Sequence, residues 1–158
     1  DKRVNIEIDF PANLPRVNVD PRMIRQAFIN IISNAYRHCG PDTRVNVSAK
    51  FNVQGDMVIT VSDDGPGIPP NKLEDVLRPF GQVDDAFKAD GAGGTGLGLP
   101  ITKGLIELHG GVFKIWSQMG QGTSIEMSFP ERRIVNESQV NSEGKFIFNP
   151  MRSKEGVS

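Results

Sequence analysis

Three stretches of this sequence hold residue types able to do chemistry. In Gly91-Ala92-Gly93-Gly94-Thr95-Gly96-Leu97-Gly98-Leu99, glycines stand at 91, 93, 94, 96 and 98, directly ahead of a helical pattern. Without side chains the backbone N–H groups can approach a ligand closely, and a helix start adds unpaired N–H groups and a positive dipole end, which together suit a phosphate. Taken alone, such a loop is more often a flexible connection. It also lacks a Gly-Lys-Ser/Thr ending, and Gln82 to Asp90 is too polar and irregular to be a feeding strand. The second stretch is Asn30 and Asn34, four residues apart and therefore on one side of a helix, with Arg37 nearby. An amide oxygen is a hard ligand suited to magnesium, although a solvated helix flank would look the same. The third is Asp63-Asp64-Gly65-Pro66-Gly67-Ile68-Pro69, a carboxylate at the end of an apolar run followed by glycines and prolines. It fits either an acidic group facing a cleft or an ordinary acidic turn.

These groups need elements to hold them. Val4, Ile6, Ile8 and Phe10 alternate with polar residues, the period of a half-buried strand. Asp20-Pro21 supplies an N-cap and a first-turn proline, and the spacing of Ile24, Ala27, Phe28, Ile31, Ile32 and Ala35 predicts an amphipathic helix to about His38. Asn30 and Asn34 then border the apolar stripe, at roughly 100° from its centre. Arg44 to Phe51 alternates again, and Gln54-Gly55-Asp56 turns it into the apolar Met57 to Ser62, a hairpin whose second strand is central and buried. A short helix is expected over Asn71 to Arg78, stopped by Pro79. The aperiodic Gln82 to Gly94, with Phe80 and Phe87 as apolar latches, reads as a lid. A last helix begins near Thr95 to Leu97, buries Ile101, Leu105 and Leu108, and ends at His109-Gly110-Gly111. A closing hairpin spans Val112 to Ser117 and Thr123 to Phe129. Beyond Pro130 the composition turns polar, and the tail is expected to be disordered or loosely docked.

With 158 residues, 37% of them hydrophobic, the chain can build one domain with a real core. Eighteen basic against nineteen acidic residues leave a net charge of −1, so no global field favours nucleic acid or an anionic membrane. Binding must come from a local site. The single cysteine, Cys39, cannot form an intramolecular disulfide, so a reducing, cytoplasmic setting is expected with Cys39 as a packing residue. No apolar run approaches membrane-spanning length. The chain starts at Asp1 and reads as a piece of something longer.

In order and spacing, Asn30-x-x-x-Asn34-Ala35, Asp63-x-Gly65-x-Gly67, Pro79-Phe80, Gly94-Thr95-Gly96-Leu97-Gly98-Leu99 and His109-Gly110-Gly111 resemble the catalytic and ATP-binding domain of sensor histidine kinases. The likeness covers about residues 2 to 130, including Leu14-Pro15-x-Val17-x-x-Asp20 and Gly120-x-Gly122-Thr123. It implies an α+β fold: a two-layer α/β sandwich with a mixed, mainly antiparallel sheet covered on one face by about three helices. It implies a domain over 1–130 and a tail over 131–158.

By the same resemblance the cofactors are ATP and magnesium. Asn34 would ligate magnesium, Asn30 would help hold the phosphate–metal assembly, and Asp63 would accept from the adenine amine beside Gly65, Gly67 and Ile68. Gly94, Thr95, Gly96, Leu97, Gly98 and Leu99 would form the lid hinge and the helix start facing the phosphates, with Phe80 anchoring the lid. Arg37 stands where the family usually has lysine; it keeps the charge but offers a planar fork. ATPase relatives carry a glutamate base where this chain has Asn30, and an asparagine cannot take a proton from water, which argues for transfer over hydrolysis. The acceptor histidine would lie on a separate dimerisation domain, since His38 and His109 read as helix-end residues. A response regulator would be an indirect partner; the isolated domain is expected to be a monomer and the full kinase a homodimer. Two alternatives stay open: a nucleotide-sensing pseudokinase or interaction module, and a serine kinase or ATPase of the same superfamily.

Overall fold

A computed structural model describes residues 3–79 and 97–135. Phe80, the expected lid over Gln82 to Gly94, Thr95, Gly96 and the tail from 136 onward lie outside the described residues. Seven strands are described, β1 (Val4–Asp9), β2 (Arg16–Val17), β3 (Thr43–Phe51), β4 (Met57–Asp63), β5 (Val112–Gln118), β6 (Gly122–Phe129) and β7 (Ile134–Val135). With them come three helices, α1 (Pro21–His38), α2 (Leu73–Val76) and α3 (Gly98–Leu108). The main sheet runs β1-β3-β4-β6-β5, with β1 parallel to β3 and every other pair antiparallel. This is the mixed, mainly antiparallel α+β sandwich expected from the sequence.

The core lies between the sheet and α1 and α3. Ala27, Ile31 and Ala35 of α1 and Leu99 and Ile106 of α3 cover Val45 and Val47 of β3, Met57, Ile59 and Val61 of β4 and Ile125, Met127 and Phe129 of β6. Each fully buried aliphatic side chain contributes about 1.5–3 kcal/mol by leaving water, so the central β4 anchors the molecule. The opposite face carries Ser48, Thr60, Ser62, Ser124 and Ser128, and Ser62 and Ser124 bond hydroxyl to hydroxyl across β4 and β6 at 2.5 Å.

Local chemistry fixes the ends of α1. Asp20 Oδ1 accepts from the N–H groups of Arg22 (2.9 Å) and Met23 (3.4 Å), and Pro21 occupies the first turn. These donors, with the Arg22 side chain first, lower the Asp20 pKa. The end of α3 closes as a Schellman cap, with Gly110 N–H on Glu107 O (2.9 Å) and Gly111 N–H on Ile106 O (3.0 Å).

Three expectations are corrected. β1 forms, but Ile6, Ile8 and Phe10 are 47%, 66% and 41% exposed. Pairing of Ile6 with Val45 and of Ile8 with Val47 places them on the core side, yet β1 is the edge strand and the helices do not reach over it. On α3 the buried residues are Leu99, Thr102 and Ile106, while Ile101 and Leu108 are exposed. Two apolar stripes compete there, and the one containing Thr102 wins because that hydroxyl is satisfied within the helix by Gly98 O (2.9 Å). The expected Asn71–Arg78 helix is a 3-10 turn, Pro70–Lys72, followed by the single turn of α2. The first residues of the expected tail are described: a 3-10 turn over Glu131–Arg133 leads into β7, which pairs with β2, and Ile134 packs against the core, while the rest of the tail lies outside the described residues.

Candidate functional site

The site is built along α1. Its flank presents Asn30 and Asn34, its C-terminal turn carries Arg37, and its C-cap is Cys39. Asn30 is fully engaged: Nδ2 donates to Gly98 O (3.2 Å) and Thr102 Oγ1 (3.4 Å), and Oδ1 accepts from Gln26 Nε2 (2.8 Å). Asn30 therefore ties the middle of α1 to the first turn of α3. Asn34, one turn on and half-buried, has no hydrogen-bond partner among the described residues, and Arg37 is exposed. Gly98 stands against Asn30, where an added Cβ would make only ordinary contact at 3.7 Å. Leu97 caps α3 and accepts from Ile101 N–H at 3.0 Å. The Leu99 side chain lies in the core, which leaves only its backbone to face a ligand.

Past the end of α1 stands Asp63, the last residue of β4. Its Oδ1 accepts from Gly65 N–H (3.0 Å), Thr123 N–H (3.3 Å) and the Cys39 thiol (3.4 Å), while Oδ2 has no partner among the described residues. The neighbouring Asp64 does something else. Its carboxylate accepts from Arg44 N–H (2.8 Å) and its own N–H donates to Arg44 O (3.2 Å), extending the pairing of β3 with β4. Of the acidic pair, one member holds the sheet and the other faces the site.

The turn after Asp63 is clamped onto the β5–β6 hairpin. Ile68 N–H donates to Ser117 Oγ (2.7 Å) and Gly120 N–H to Pro66 O (2.8 Å). Gly67 has a φ of +76°, and a Cβ there would drive into Gln118 O. Gly65 is excluded from carrying a side chain for a different reason, since its Cβ would collide with Cys39 Sγ.

Three contributors escaped the sequence reading. Cys39 packs, as expected, but also bonds Asp63. Thr123 faces Asp63 in the β4–β6 register, and Ser117 holds both the Ile68 N–H and, at 2.8 Å, the Thr123 hydroxyl. A polar residue at an inward position of an otherwise apolar strand, as Ser117 is after Phe113 and Ile115, is the signal that could have found it. His109 is 6% exposed and spans the base of the two helices: Nδ1 donates to Leu105 O (2.7 Å) and Nε2 accepts from Asp20 N–H (3.0 Å). Arg133 adds bonds to His109 O and Asn18 O.

A two-layer sandwich of this strand order, with an asparagine-bearing helix flank and a carboxylate at the end of its central strand, defines the ATPase fold of histidine kinases as its class. Solved structures agree. The chain superposes on the mycobacterial sensor histidine kinase MprB with a TM-score of 0.64 at 26% identity, covering 80% of this chain and 81% of that one. On full-length ShkA in complex with AMPPNP the TM-score is 0.68 at 27% identity, over 80% of this chain and 25% of that one. The profile described as "Histidine kinase-, DNA gyrase B-, and HSP90-like ATPase" matches residues 19–133, and the chain belongs to that family. Among curated relatives, the cell-division control histidine kinase PdhS of Brucella ovis and that of Brucella abortus are each 40% identical over 141 residues, 85% of this chain. The chain spans 14% of the length of those relatives.

Proposed function

We propose that this chain is the catalytic and ATP-binding domain of a two-component sensor histidine kinase, which passes the γ-phosphoryl of Mg·ATP to a histidine on a separate dimerisation domain. The observation that carries the reading is Asp63, with Oδ1 occupied by three donors and Oδ2 open among the described residues. An open carboxylate oxygen in a glycine-lined turn selects an amine donor, and adenine has one where guanine has a carbonyl. From Cys39 back to Asn30 is roughly 13 Å along the helix, so the base and the phosphates can occupy opposite ends of one α1 flank.

Among the described residues no three His, Cys, Asp or Glu side chains gather into a metal site. A cation here would take most of its ligands from phosphate and water, with the amide of Asn34, unbonded among the described residues, as the protein's share, a donor set that suits magnesium. When bound, magnesium neutralises phosphate charge and polarises the γ-phosphoryl group. The chain's own residues position and balance charge: Arg37 adds a cation near the phosphates, and Asn30 holds the start of α3, with the backbone of Leu97, Gly98 and Leu99, toward them. Phe80, Gly94, Thr95 and Gly96, which lie outside the described residues, are proposed as further nucleotide-binding residues on the resemblance alone. Asn30 has both amide atoms committed and no basic group, which favours transfer to a protein acceptor over hydrolysis.

On this reading the acceptor histidine lies on a dimerisation domain of the same kinase, a response regulator is an indirect partner, and the full kinase would act as a homodimer in the cytoplasm. Among the described residues no helix is long and apolar enough to cross a membrane. The described part of the domain runs to Val135. Mixing the chain with the dimerisation domain of its own protein and γ-labelled Mg·ATP should label that domain with an acid-labile, base-stable phosphoryl group. Absence of label, acid-stable label, or steady phosphate release in its place would overturn the assignment.

A further inference from the structure

We infer that Cys39 is a positioning residue for base recognition: its thiol holds Asp63 Oδ1, so that Oδ2 is the oxygen turned to the purine. The inference rests on the reading of Asp63 as the base acceptor. Cys39 is placed for this by being the C-cap of α1, where its N–H bonds Ala35 O at 2.9 Å. Its sulfur lies 3.4 Å from Asp63 Oδ1 and directly beneath Gly65, where no Cβ would fit. One side chain thus supports both the carboxylate and the glycine that lets the base approach. It also fixes the end of the helix bearing Asn34 relative to the strand bearing Asp63.

The thiol has to be protonated to donate, and its surroundings ensure this. Cys39 is 4% exposed, and burial, followed by the Asp63 charge, pushes its pKa up to about 12. It is therefore a hydrogen-bond donor at neutral pH and a poor nucleophile. With Gly65 and Thr123 N–H it completes a three-donor cradle around one oxygen. Without it the carboxylate keeps two backbone donors and regains freedom to rotate about its terminal torsion, spreading the open oxygen over several directions.

The test compares ADP with inosine diphosphate, which presents a carbonyl in place of the amine, by calorimetry on the full chain and its variants. Cys39→Ala should lower the ADP preference roughly threefold to tenfold, as expected for losing one modest donor to a charged acceptor. Cys39→Ser, which keeps a donor, should restore the preference to within about twofold. A merely structural thiol would change melting temperature in Cys39→Ala and leave the ratio alone. Asp63→Ala separates the two layers. If it abolishes the ADP preference and Cys39→Ala does not change it, the role of Cys39 is overturned and the base reading stands; if Asp63→Ala leaves the preference intact, both are overturned. Because the chain has a single cysteine, its S–H infrared band is unambiguous. The band should lie below that of a free thiol and move back in Asp63→Ala, and a free-thiol position in the unsubstituted protein would refute the bond.

Discussion

Replacing Asp63 by asparagine is the most informative single change, because it alters one atom at the site and little else. The amide oxygen can occupy the Oδ1 position and still accept from Gly65, Thr123 and Cys39, now as a neutral acceptor. Loss of the charge-assisted part of those bonds should cost about 1 kcal/mol, which lowers the melting temperature by a few degrees. The other position changes character. Oδ2, which accepts, becomes an NH2 group, which donates, and it then opposes the adenine amine while matching a carbonyl. A hydrogen bond to a charged acceptor is worth about 1.5–3 kcal/mol, so ADP affinity should fall between tenfold and about 150-fold. Inosine diphosphate affinity should stay level or rise. Calorimetric titration of both nucleotides, with unfolding followed on the same samples, reads each quantity. Equal losses for the two nucleotides, or no loss for either, would refute the placement of the base against Asp63.

Asn34→Ala should leave stability within about 0.5 kcal/mol, since Asn34 bonds no described residue, yet remove most of the gain in nucleotide affinity that magnesium confers; titrations with magnesium and with chelator check this. Gly122→Ala should destabilise the fold by more than about 2 kcal/mol in urea unfolding, because Gly122 has a φ of +108° and a Cβ would strike the Asp63 carbonyl. It should also impair ADP binding, because the Asp63 strand end must shift. His109→Phe keeps the ring but strands Asp20 N–H and Leu105 O, so about 2–4 kcal/mol of stability should be lost with ADP affinity per folded molecule unchanged.

Much of this fold is legible wherever a local signal and the tertiary context agree. Asp20-Pro21 marks the start of α1 because capping is a local transaction, and β3 and β4 announce themselves because both are buried by the same helix layer. β1 shows the limit: its alternation is a strand's, but whether Ile6 and Ile8 are covered depends on strand order, which no local pattern encodes. α3 shows another, since Ile101-Leu105-Leu108 and Leu99-Thr102-Ile106 are both helical stripes, and the Thr102 hydroxyl disguised the buried one. At the site, Asn30, Asn34 and Asp63 stood out by type and spacing. Their supports did not, because Cys39, Ser117 and Thr123 gain their roles only when α1, β5 and β6 converge on the end of β4. The Asp63-Asp64 pair looked like a single acidic feature, and only the sheet register separates the carboxylate bonded by Cys39, Gly65 and Thr123 from the one that bonds Arg44 of β3.

The account stands or falls on where a nucleotide sits. A crystal structure of the chain with Mg·AMPPNP should show the adenine amine within hydrogen-bond distance of Asp63 Oδ2, the Asn34 amide oxygen on magnesium, and the phosphates facing the start of α3. A nucleotide bound elsewhere, or one in this cleft with Asp63 Oδ2 and Asn34 both left without contact to it or its metal, would contradict it.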